Sequence, residues 1–366
     1  MKMKQIAFYI GSLSKGGSER TFVNLAEYFY EQGYQVTIVT QYKKENEYTY
    51  SEGIERILSD LTEEETGKSR IMNFIGRYRK LRRIWKQIKP DVILSCIGKN
   101  NLMSVASALG LKSRTVVSVV GEPSEEYPTG TIRLLANILF SFADGVVLKT
   151  TDAMQFFPRY IRNKSIVMKN SLNPTFIRET YQGTREKTII SVGRLDSNKN
   201  QTILIKAFAR LSKEHPEYDL ILYGEGEDRN KLEEMVHKAD LDNKIMLPGT
   251  IENVAETIYK AGIFVLTSNT EGMPNALIEA MALGIPSIST DCPCGGPRDL
   301  IQTYENGILI PVNDVNQLEK EIRNLIDNPE LAEKIGRNAT AVQQDLSPEV
   351  INKNWENYFK GLVNKG

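Results

Sequence analysis

The sequence predicts an α/β protein built from two doubly wound domains. Strand-like and helix-like stretches alternate along almost all of its 366 residues, and a chain of this length favours two domains over one. The strand-like stretches are nearly continuous in valine, isoleucine and leucine, which is typical of parallel sheets covered on both faces. Ligands bind beyond the carboxyl ends of the strands in such sheets, so two facing sheets would define a central cleft.

The first domain is expected over residues 1–175. It opens with the apolar run QIAFYIG, a glycine-serine loop, a helical pattern from Ser18 to Gln32 and the strand-like YQVTIVT, with Gly33 placed where a glycine often ends a helix. DVILSC, TVVSVV, GVVLKT and SIVMKN continue the series of strands. The apolar run IRLLANILFSFADGVVL, from Ile132, is interrupted by polar residues. It predicts a buried helix feeding a strand rather than a membrane span.

The second domain is expected over residues 184–345, with strands at TIISVG, DLILYG, KIMLPG, IFVLTS, PSIST and GILI. The polar segment 173–187 is interpreted as the link between the domains. A last helix is expected over 347–366, because Ser347 is a good N-cap and Pro348 suits the first helical position. We expect this helix to cross back to the N-terminal domain.

Composition disfavours several classes of function. The 46 basic and 46 acidic residues give no net charge, so no overall field selects nucleic acid. Three cysteines and no apolar N-terminal segment favour a reducing cytoplasm over a secreted protein. Cys292 and Cys294 could ligate a metal, but the two histidines, His215 and His237, lie far away in sequence. Small loop residues are the favoured interpretation, and no metal is expected.

A loop with two cations follows the first strand of the second domain. Arg194 comes just after TIISVG, and Lys199 follows five residues later. A guanidinium fork and an ammonium group both match phosphate oxygens, so this loop suits a diphosphate. Two solvated surface cations explain the loop equally well. At the next strand end, Gly224 and Gly226 form a G-x-G without the third glycine of a dinucleotide fingerprint, so a tight turn is favoured over a nicotinamide or flavin site.

The stretch EGMPNALIE places two glutamates, Glu271 and Glu279, eight positions apart at a strand-to-helix turn. The helix is expected to begin around Met273 with Pro274 near its first position, where backbone N–H groups attract anions. Asn275 and Glu279 then share one face, one turn apart. Such a turn could bind the hydroxyls of a polyol beside a phosphate. The alternative is that the two carboxylates are solvated or cap the helix.

The first domain carries a matching glycine loop in GSLSKGGSERTFVNLA. Gly16 and Gly17 precede a helix for which Ser18 is the expected N-cap. Adjacent glycines let a phosphate or sugar approach the backbone closely. No G-K-[ST] follows, so hydrolysis of a nucleoside triphosphate at a P-loop is not expected.

These motifs together resemble a known family. SVGRLDSNKN, YGEGEDRNKL, LPGTIENV and TSNTEGMPNALIEAMALGIPSISTDCPCGGPRDLI follow one another within residues 187–312 and are similar to the donor-binding half of glycosyltransferase family 4, retaining enzymes of the GT-B fold. The E-x7-E pattern is that family's signature. The first domain resembles the family only in its glycine loop and its general βα layout. The resemblance is to members that build bacterial surface polysaccharides.

The resemblance implies a role for each matching position. Arg194 and Lys199 would hold the donor diphosphate, Glu271 would bond the donor sugar, and Glu279 would bond the ribose. No metal or other cofactor would be required. The remaining donor-binding positions implied are Gly16, Gly17, Gly224, Pro248, Gly249, Gly272, Met273, Pro274 and Asn275.

The acceptor side departs from the family pattern. Many members carry a histidine after a first-domain strand, whereas the corresponding stretch here reads SVVGEPSEEYP. Glu122 occupies about that place and is predicted to orient the acceptor hydroxyl or the sugar. Retention would then proceed by attack on the same face of the sugar, with the leaving phosphate taking the acceptor proton. This mechanism is implied by the resemblance alone.

A basic amphipathic helix is expected at residues 77–89, RYRKLRRIWKQIK, which carries seven cations and no acid. It could rest on anionic lipid headgroups, or it could be an ordinary surface helix packed on the first sheet. Its place in the expected acceptor domain favours a peripheral enzyme at the inner face of the cell membrane, with a lipid-linked acceptor.

The favoured hypothesis is a retaining glycosyltransferase that moves a hexosyl or N-acetylhexosaminyl group from a UDP-sugar to a glycan or a polyprenyl-diphosphate-linked sugar, in capsule or exopolysaccharide synthesis. A UDP-sugar epimerase or a phosphorylase of the same architecture is one alternative. A nucleotide- or glycan-binding protein without catalysis is another. An epimerase would convert its donor with no acceptor present, and a binding protein would retain UDP without turnover.

Overall fold

The structure is a computed structural model that describes residues 3–14 and 16–365. The chain forms two compact units. The first contains residues up to Asn170 together with those from Ile351 onward, and the second is Ser171–Val350. The polar segment 173–187 therefore lies within the second unit, where its first residues form a short 3-10 helix, Pro174–Phe176.

The first unit is built on a sheet of seven parallel strands among the described residues, in the order β3-β2-β1-β4-β5-β6-β7. The order changes direction between β1 and β4, as in doubly wound sheets, and all carboxyl ends meet at one edge. The strands are β1 (Gln5–Ile10), β2 (Gln35–Thr40), β3 (Glu55–Leu58), β4 (Val92–Cys96), β5 (Arg114–Ser118), β6 (Gly145–Leu148) and β7 (Ser165–Val167).

Helices connect these strands and cover the sheet. They are α1 (Gly17–Glu31), α2 (Arg70–Ile88), α3 (Gly98–Ala108), α4 (Pro123–Glu126), α5 (Gly130–Phe142), α6 (Thr151–Gln155) and α7 (Arg159–Arg162). Gly33 follows the end of α1 with φ +80°, as expected for a glycine that terminates a helix. No helix in the described part of the chain is both long and apolar enough to span a bilayer.

The second unit repeats the plan with six parallel strands among the described residues, in the order β10-β9-β8-β11-β12-β13. The strands are β8 (Thr188–Val192), β9 (Asp219–Tyr223), β10 (Ile245–Gly249), β11 (Ile263–Leu266), β12 (Ser287–Thr290) and β13 (Ile308–Ile310). The helices are α8 (Gln201–Leu211), α9 (Arg229–Lys238), α10 (Val254–Ile258), α11 (Asn275–Ala282), α12 (Val315–Asp327), α13 (Pro329–Ala339) and α14 (Val342–Asp345).

The last helix, α15 (Pro348–Asn364), begins at the proline that the sequence predicted, and the Ser347 hydroxyl accepts the Val350 N–H (3.3 Å). Its part from Ile351 onward belongs to the first unit. There the ring of Phe359 stacks on that of Phe29, with 5.5 Å between centroids.

A buried carboxylate also fixes α15 to the first unit. Glu356 is 4% exposed and accepts hydrogen bonds from the Tyr34 hydroxyl (2.9 Å) and the ammonium groups of Lys353 (2.6 Å) and Lys360 (2.7 Å). Burial alone would raise the pKa of Glu356, but these hydrogen bonds lower it to about 2. The helix is thus held by stacking and by a charged cluster together.

Two helices of the first unit differ in how they use their apolar residues. In the second half of α2 the apolar face is buried: Leu81, Ile84 and Trp85 pack on the sheet, and the Trp85 indole donates to the Ser107 hydroxyl (2.9 Å). The helix at residues 77–89 is therefore amphipathic as predicted, and its apolar side is occupied by the protein core.

Helix α5 is much less buried than predicted. The run from Ile132 was expected to be buried, but in α5, all of which the structure describes, only Ala136 and Phe140 are buried. Leu134 and Phe142 are each 60% exposed. The run does form a helix that leads into a strand, β6, as predicted. Its burial was predicted wrongly, because α5 contacts the rest of the unit along the narrow face of Ala136 and Phe140.

Candidate functional site

Two loops of the second unit are tied together at the carboxyl ends of the neighbouring strands β8 and β11. The Asn198 amide donates to the Thr270 carbonyl (3.1 Å), and the Thr270 N–H donates back to the Asn198 side chain (3.0 Å). The Asn269 N–H donates to the Asn198 carbonyl (2.7 Å). Sequence reasoning missed both asparagines, because their pairing depends on strand order.

These loops bring Lys199 and Glu271 together as an ion pair between the lysine Nζ and the glutamate Oε1. The Ser268 hydroxyl donates to the same oxygen (2.6 Å). The two charged side chains are only 19% and 12% exposed, so water screens their attraction weakly. Among the residues that the structure describes, Oε2 of Glu271 and the other two ammonium hydrogens of Lys199 have no hydrogen-bond partner.

Arg194 lies on the same loop but is much more open. Its side chain is 75% exposed and pairs with Asp196 at 2.9 Å. The other oxygen of Asp196 accepts the Lys199 backbone N–H (2.8 Å). One carboxylate therefore links the two predicted cations, although Lys199 is held firmly and Arg194 is held only at its tip.

Close backbone packing explains the G-x-G turn after β9. Gly224 has φ +138°, and a Cβ placed on it would lie 1.8 Å from the Gly193 carbonyl oxygen. A Cβ on Gly226 would lie 2.1 Å from the Leu195 carbonyl oxygen. The Gly224 N–H donates to the Gly249 carbonyl (2.8 Å), which joins this turn to the end of β10. Adjacent Pro248 is exposed.

Helix α11 begins later than predicted. Its first residue is Asn275 rather than Met273, and Pro274 is the N-cap with ψ 97°. The Pro274 carbonyl accepts the N–H groups of Leu277 (3.1 Å) and Ile278 (3.2 Å). The prediction was wrong because the proline stays extended and starts the helix with its carbonyl group. Met273 and Pro274 are buried, whereas Asn275 and the sequence-predicted Glu279 are half-buried, one turn apart.

A third loop, residues 291–298, supports the start of α11. The Glu271 N–H donates to the Pro293 carbonyl (3.1 Å), and a Cβ on Gly296 would lie only 1.6 Å from the Gly272 oxygen. Burial and the nearby charge of Glu271 raise the pKa of the Cys292 thiol to about 12. The C-x-C segment thus contributes a buried neutral thiol and a close backbone contact to the site. Sequence reasoning assigned it no part in the site.

In the first unit, α1 begins at Gly17 and Gly16 is its N-cap. Ser18 was expected to be the cap, but the Gly16 carbonyl already accepts the Arg20 N–H (3.0 Å), which places Ser18 inside the first turn. A Cβ on Gly16 would clash with the Glu19 carboxylate. The Glu19 side chain thus lies in the first turn, at the positive end of the helix dipole, where an acidic group is favoured.

Glu122 and Glu126, two of the three glutamates that follow β5, are both half-buried but differ in their hydrogen-bond partners. Glu122, the predicted acceptor-side residue, is half-buried and accepts the Ser124 hydroxyl (3.0 Å). Burial raises the pKa of Glu126, although hydrogen bonds from backbone N–H groups act in the opposite direction. Those N–H groups belong to Gly98 (2.8 Å), Val120 (2.8 Å) and Gly121 (2.9 Å). Sequence reasoning missed Glu126, since its role is to hold three loop amides.

A buried cation, Lys149, follows β6 and was also missed. It is 4% exposed, its Nζ lies 6.0 Å from the Trp355 ring centre, and it forms no ion pair among the described residues. Burial lowers the pKa of Lys149 to about 8. The folded protein therefore holds a desolvated charge at neutral pH.

Replacing Lys149 by methionine is expected to stabilise the protein at pH 7. The pKa of Lys149 is about 8 in the folded protein against an ordinary 10.5, so burying the protonated side chain at pH 7 costs roughly 3 kcal/mol of folding free energy. The methionine variant is therefore expected to gain about 1–3 kcal/mol of unfolding free energy. The unfolded chain binds the proton more tightly, so wild-type stability should rise as pH increases from 8 to 10.5. Urea unfolding at pH 7 and 9.5 should show a smaller gain at pH 9.5. Exposed Lys112→Met is the control, and an equal gain at both pH values would contradict the assignment.

Two parallel, doubly wound units of Rossmann-like topology are the architecture of a GT-B glycosyltransferase, and the lysine–glutamate pair lies at the ligand-binding edge of the second. The family model described as "Glycosyl transferases group 1" matches residues 174–342, and the model "Glycosyltransferase Family 4" matches residues 15–146. Together they cover most of the chain. The protein belongs to glycosyltransferase family 4.

Similar proteins agree with this assignment. The chain is 26% identical over 355 residues to the "GalNAc-alpha-(1->4)-GalNAc-alpha-(1->3)-diNAcBac-PP-undecaprenol alpha-1,4-N-acetyl-D-galactosaminyltransferase" of Campylobacter jejuni, covering 96% of this chain and 97% of that one. Its fold matches sucrose-phosphate synthase from Thermosynechococcus elongatus with a TM-score of 0.82 at 19% identity, covering 99% and 100% of the two chains. The structure of Anabaena HepE in complex with UDP matches with a TM-score of 0.82 at 17% identity, covering 98% of this chain and 100% of that one. The predicted family and GT-B fold are confirmed.

Proposed function

We propose that this glycosyltransferase moves a hexosyl or N-acetylhexosaminyl group from a UDP-sugar to a glycan or a polyprenyl-diphosphate-linked sugar, with retention of configuration, in surface-polysaccharide synthesis. The Lys199–Glu271 pair carries the proposal, because it joins a cation and a carboxylate at the ligand-binding edge of a parallel sheet. The name of the Campylobacter jejuni relative, which includes a PP-undecaprenol-linked sugar, supports the acceptor class. The HepE complex with UDP supports the donor class.

The residues present can stabilise the leaving group. As the bond between the sugar C1 and the diphosphate breaks, negative charge grows on the phosphate oxygen. Lys199 can keep one N–H on Glu271 and direct the other two at that oxygen, while exposed Arg194 can swing onto the diphosphate. Oε2 of Glu271 can accept a hydroxyl of the donor sugar, and Glu279 is assigned to the ribose. We propose that these cations act without a metal ion or other cofactor.

Retention follows from attack on the face that the diphosphate leaves. The acceptor hydroxyl oxygen bonds to C1 as the C1–O bond to the diphosphate breaks. Its proton passes to the departing phosphate oxygen, which gives UDP and the glycosylated acceptor. Glu122 is proposed to orient the acceptor hydroxyl, for which its half-buried carboxylate is suited.

The protein is proposed to act at the cytoplasmic face of the membrane that carries its acceptor. The exposed cations Arg79, Arg83 and Lys86 of α2, with Lys89 just after its end, have no acidic residue on the same helix. Anionic headgroups attract such clusters by about 1 kcal/mol per cation near the surface. The apolar side of residues 77–89 packs on the sheet, so contact through this segment is electrostatic.

The test is a transfer assay that combines a panel of nucleotide sugars with polyprenyl-diphosphate-linked oligosaccharides. We expect UDP release and a one-sugar gain in acceptor mass with one UDP-sugar, retained anomeric configuration by NMR, and unchanged rates in EDTA. Conversion of the donor without acceptor would show an epimerase instead. UDP binding without turnover across the panel would show a binding protein.

A further inference from the structure

Helix α5 exposes an apolar face that the first unit leaves uncovered. Leu134 and Phe142 are 60% exposed, Ile138 is 49% and Leu135 is 45%. Leu134, Ile138 and Phe142 follow one another at four-residue intervals and therefore form one stripe along the helix. Large contiguous apolar surfaces on a folded chain mark a place where something binds.

The beginning of α2 exposes a second apolar cluster in the same unit. Ile71 is 73% exposed, Phe74 60%, Met72 59% and Ile75 41%. These residues precede the buried face of α2, so the sheet does not need them for its core.

The two helices lie in one layer. Helix α3 packs against both α2 and α5, so they flank it on the same side of the sheet. Both α2 and α5 connect parallel strands in the same direction, which places their first residues near the carboxyl edge. The exposed clusters of α2 and α5 therefore belong to one face of the unit.

The charges on the two helices of this face match a lipid surface. The acids of the loop before α2 lie beside them: Asp60 and Glu65 pair with Arg77 (2.6 Å) and Lys80 (2.8 Å), and Glu63 and Glu64 are exposed. Neither α2 nor α5 contains an aspartate or glutamate, while α2 presents its exposed arginines and lysines and α5 has Arg133 as its one charged residue. Helices whose apolar side chains stand beside cations are typical of the headgroup boundary of anionic bilayers.

We propose that α5 and the first turns of α2 form a bilayer-insertion surface. The apolar side chains of α5 and of residues 71–75 enter the boundary between headgroups and acyl chains, and the α2 cations remain among the headgroups. This surface adds to the electrostatic contact of the proposed function, which rests on α2 alone. It does not require that transfer take place.

The experiment is co-sedimentation of the full chain with vesicles of phosphatidylcholine, with or without 30% phosphatidylglycerol (about one anionic lipid in three). Wild type is expected to bind the anionic vesicles. The triple variant Leu134→Ser, Ile138→Ser, Phe142→Ser should bind them at least about tenfold more weakly. Exposed Met246→Ser of the second unit is the matched control and should bind like wild type.

Three outcomes decide the proposal. If the triple variant keeps its circular dichroism and melting temperature but loses vesicle binding, the insertion surface is supported. If it binds vesicles like wild type, or if wild type dimerises through this face in light scattering and the variant does not, the proposal is overturned. A protein that binds vesicles through α5 but transfers no sugar would refute the proposed function and leave this surface standing.

Discussion

Replacement of Lys199 by alanine is expected to lower the rate of sugar transfer by about 10²–10³-fold while the chain stays folded. The lysine ammonium sits beside Glu271 in a site screened only weakly by water, where a fixed cation acts most strongly on developing phosphate charge. In the variant, the nearest fixed charge to the departing diphosphate is the negative carboxylate of Glu271. The measurement is steady-state UDP release with the acceptor present, together with the melting temperature.

Glu271→Ala should also abolish most transfer, and the double variant with Lys199→Ala should lose less than the sum of the two single losses. The two groups act as a pair, so removing the second partner removes little more. Lys206→Ala, an exposed cation on α8, is the matched control and should turn over like wild type. Near-wild-type turnover in both Lys199→Ala and Glu271→Ala would refute the assignment of the site.

Gly296→Ala is expected to reduce both stability and transfer. The added methyl group would lie 1.6 Å from the Gly272 oxygen and 2.9 Å from a ring carbon of Pro274, so the loop 291–298 must move away from the start of α11. Steric replacements of this kind cost about 1–3 kcal/mol of unfolding free energy. The shift also moves the Glu271 backbone, and we expect transfer to fall by at least about tenfold. Urea unfolding and kinetics at saturating donor measure the two effects.

Gly361→Ala separates this steric effect from the general effect of replacing a glycine. A Cβ on Gly361 meets no atom within 4 Å, and the residue lies within α15. The Gly361→Ala variant should gain about 0.5–1 kcal/mol of unfolding free energy from the better helix propensity of alanine, and its rate of transfer should be unchanged. If Gly296→Ala matched wild type in both measurements, the close contact between the two loops would not be needed for the site.

The strands of both sheets were predictable because each is a short apolar run with few charges. QIAFYIG and IFVLTS, for example, became β1 and β11 at the expected places. The exposed face of α5 was not predictable, since the sequence of an apolar helix has the same pattern whether the helix faces a core or is exposed to solvent. Which strands become neighbours was also hidden, although the doubly wound pattern limits the choices.

The candidate site was predicted as residues but not as contacts. Lys199 and Glu271 are 72 residues apart in sequence, and their pairing depends on β8 and β11 lying side by side. Asn198 and the loop 291–298 were not predicted. They hold backbone groups in place, and this role has no recognisable motif in a single sequence. The roles assigned to Lys199, Glu271, Arg194, Glu279 and Glu122 all remain predictions.

The division of the chain sets an order of assembly during synthesis. The second unit is continuous from Ser171 to Val350, so all of its strands have been made before the ribosome reaches Ile351. The first unit begins earlier but is completed last, because Phe359 stacks on Phe29 of α1 and Glu356 accepts the Tyr34 hydroxyl just beyond that helix. Until those residues emerge, the aromatic surface around Phe29 stays uncovered on a nascent chain whose second half can already fold. This surface is therefore where a chaperone would be expected to bind during translation.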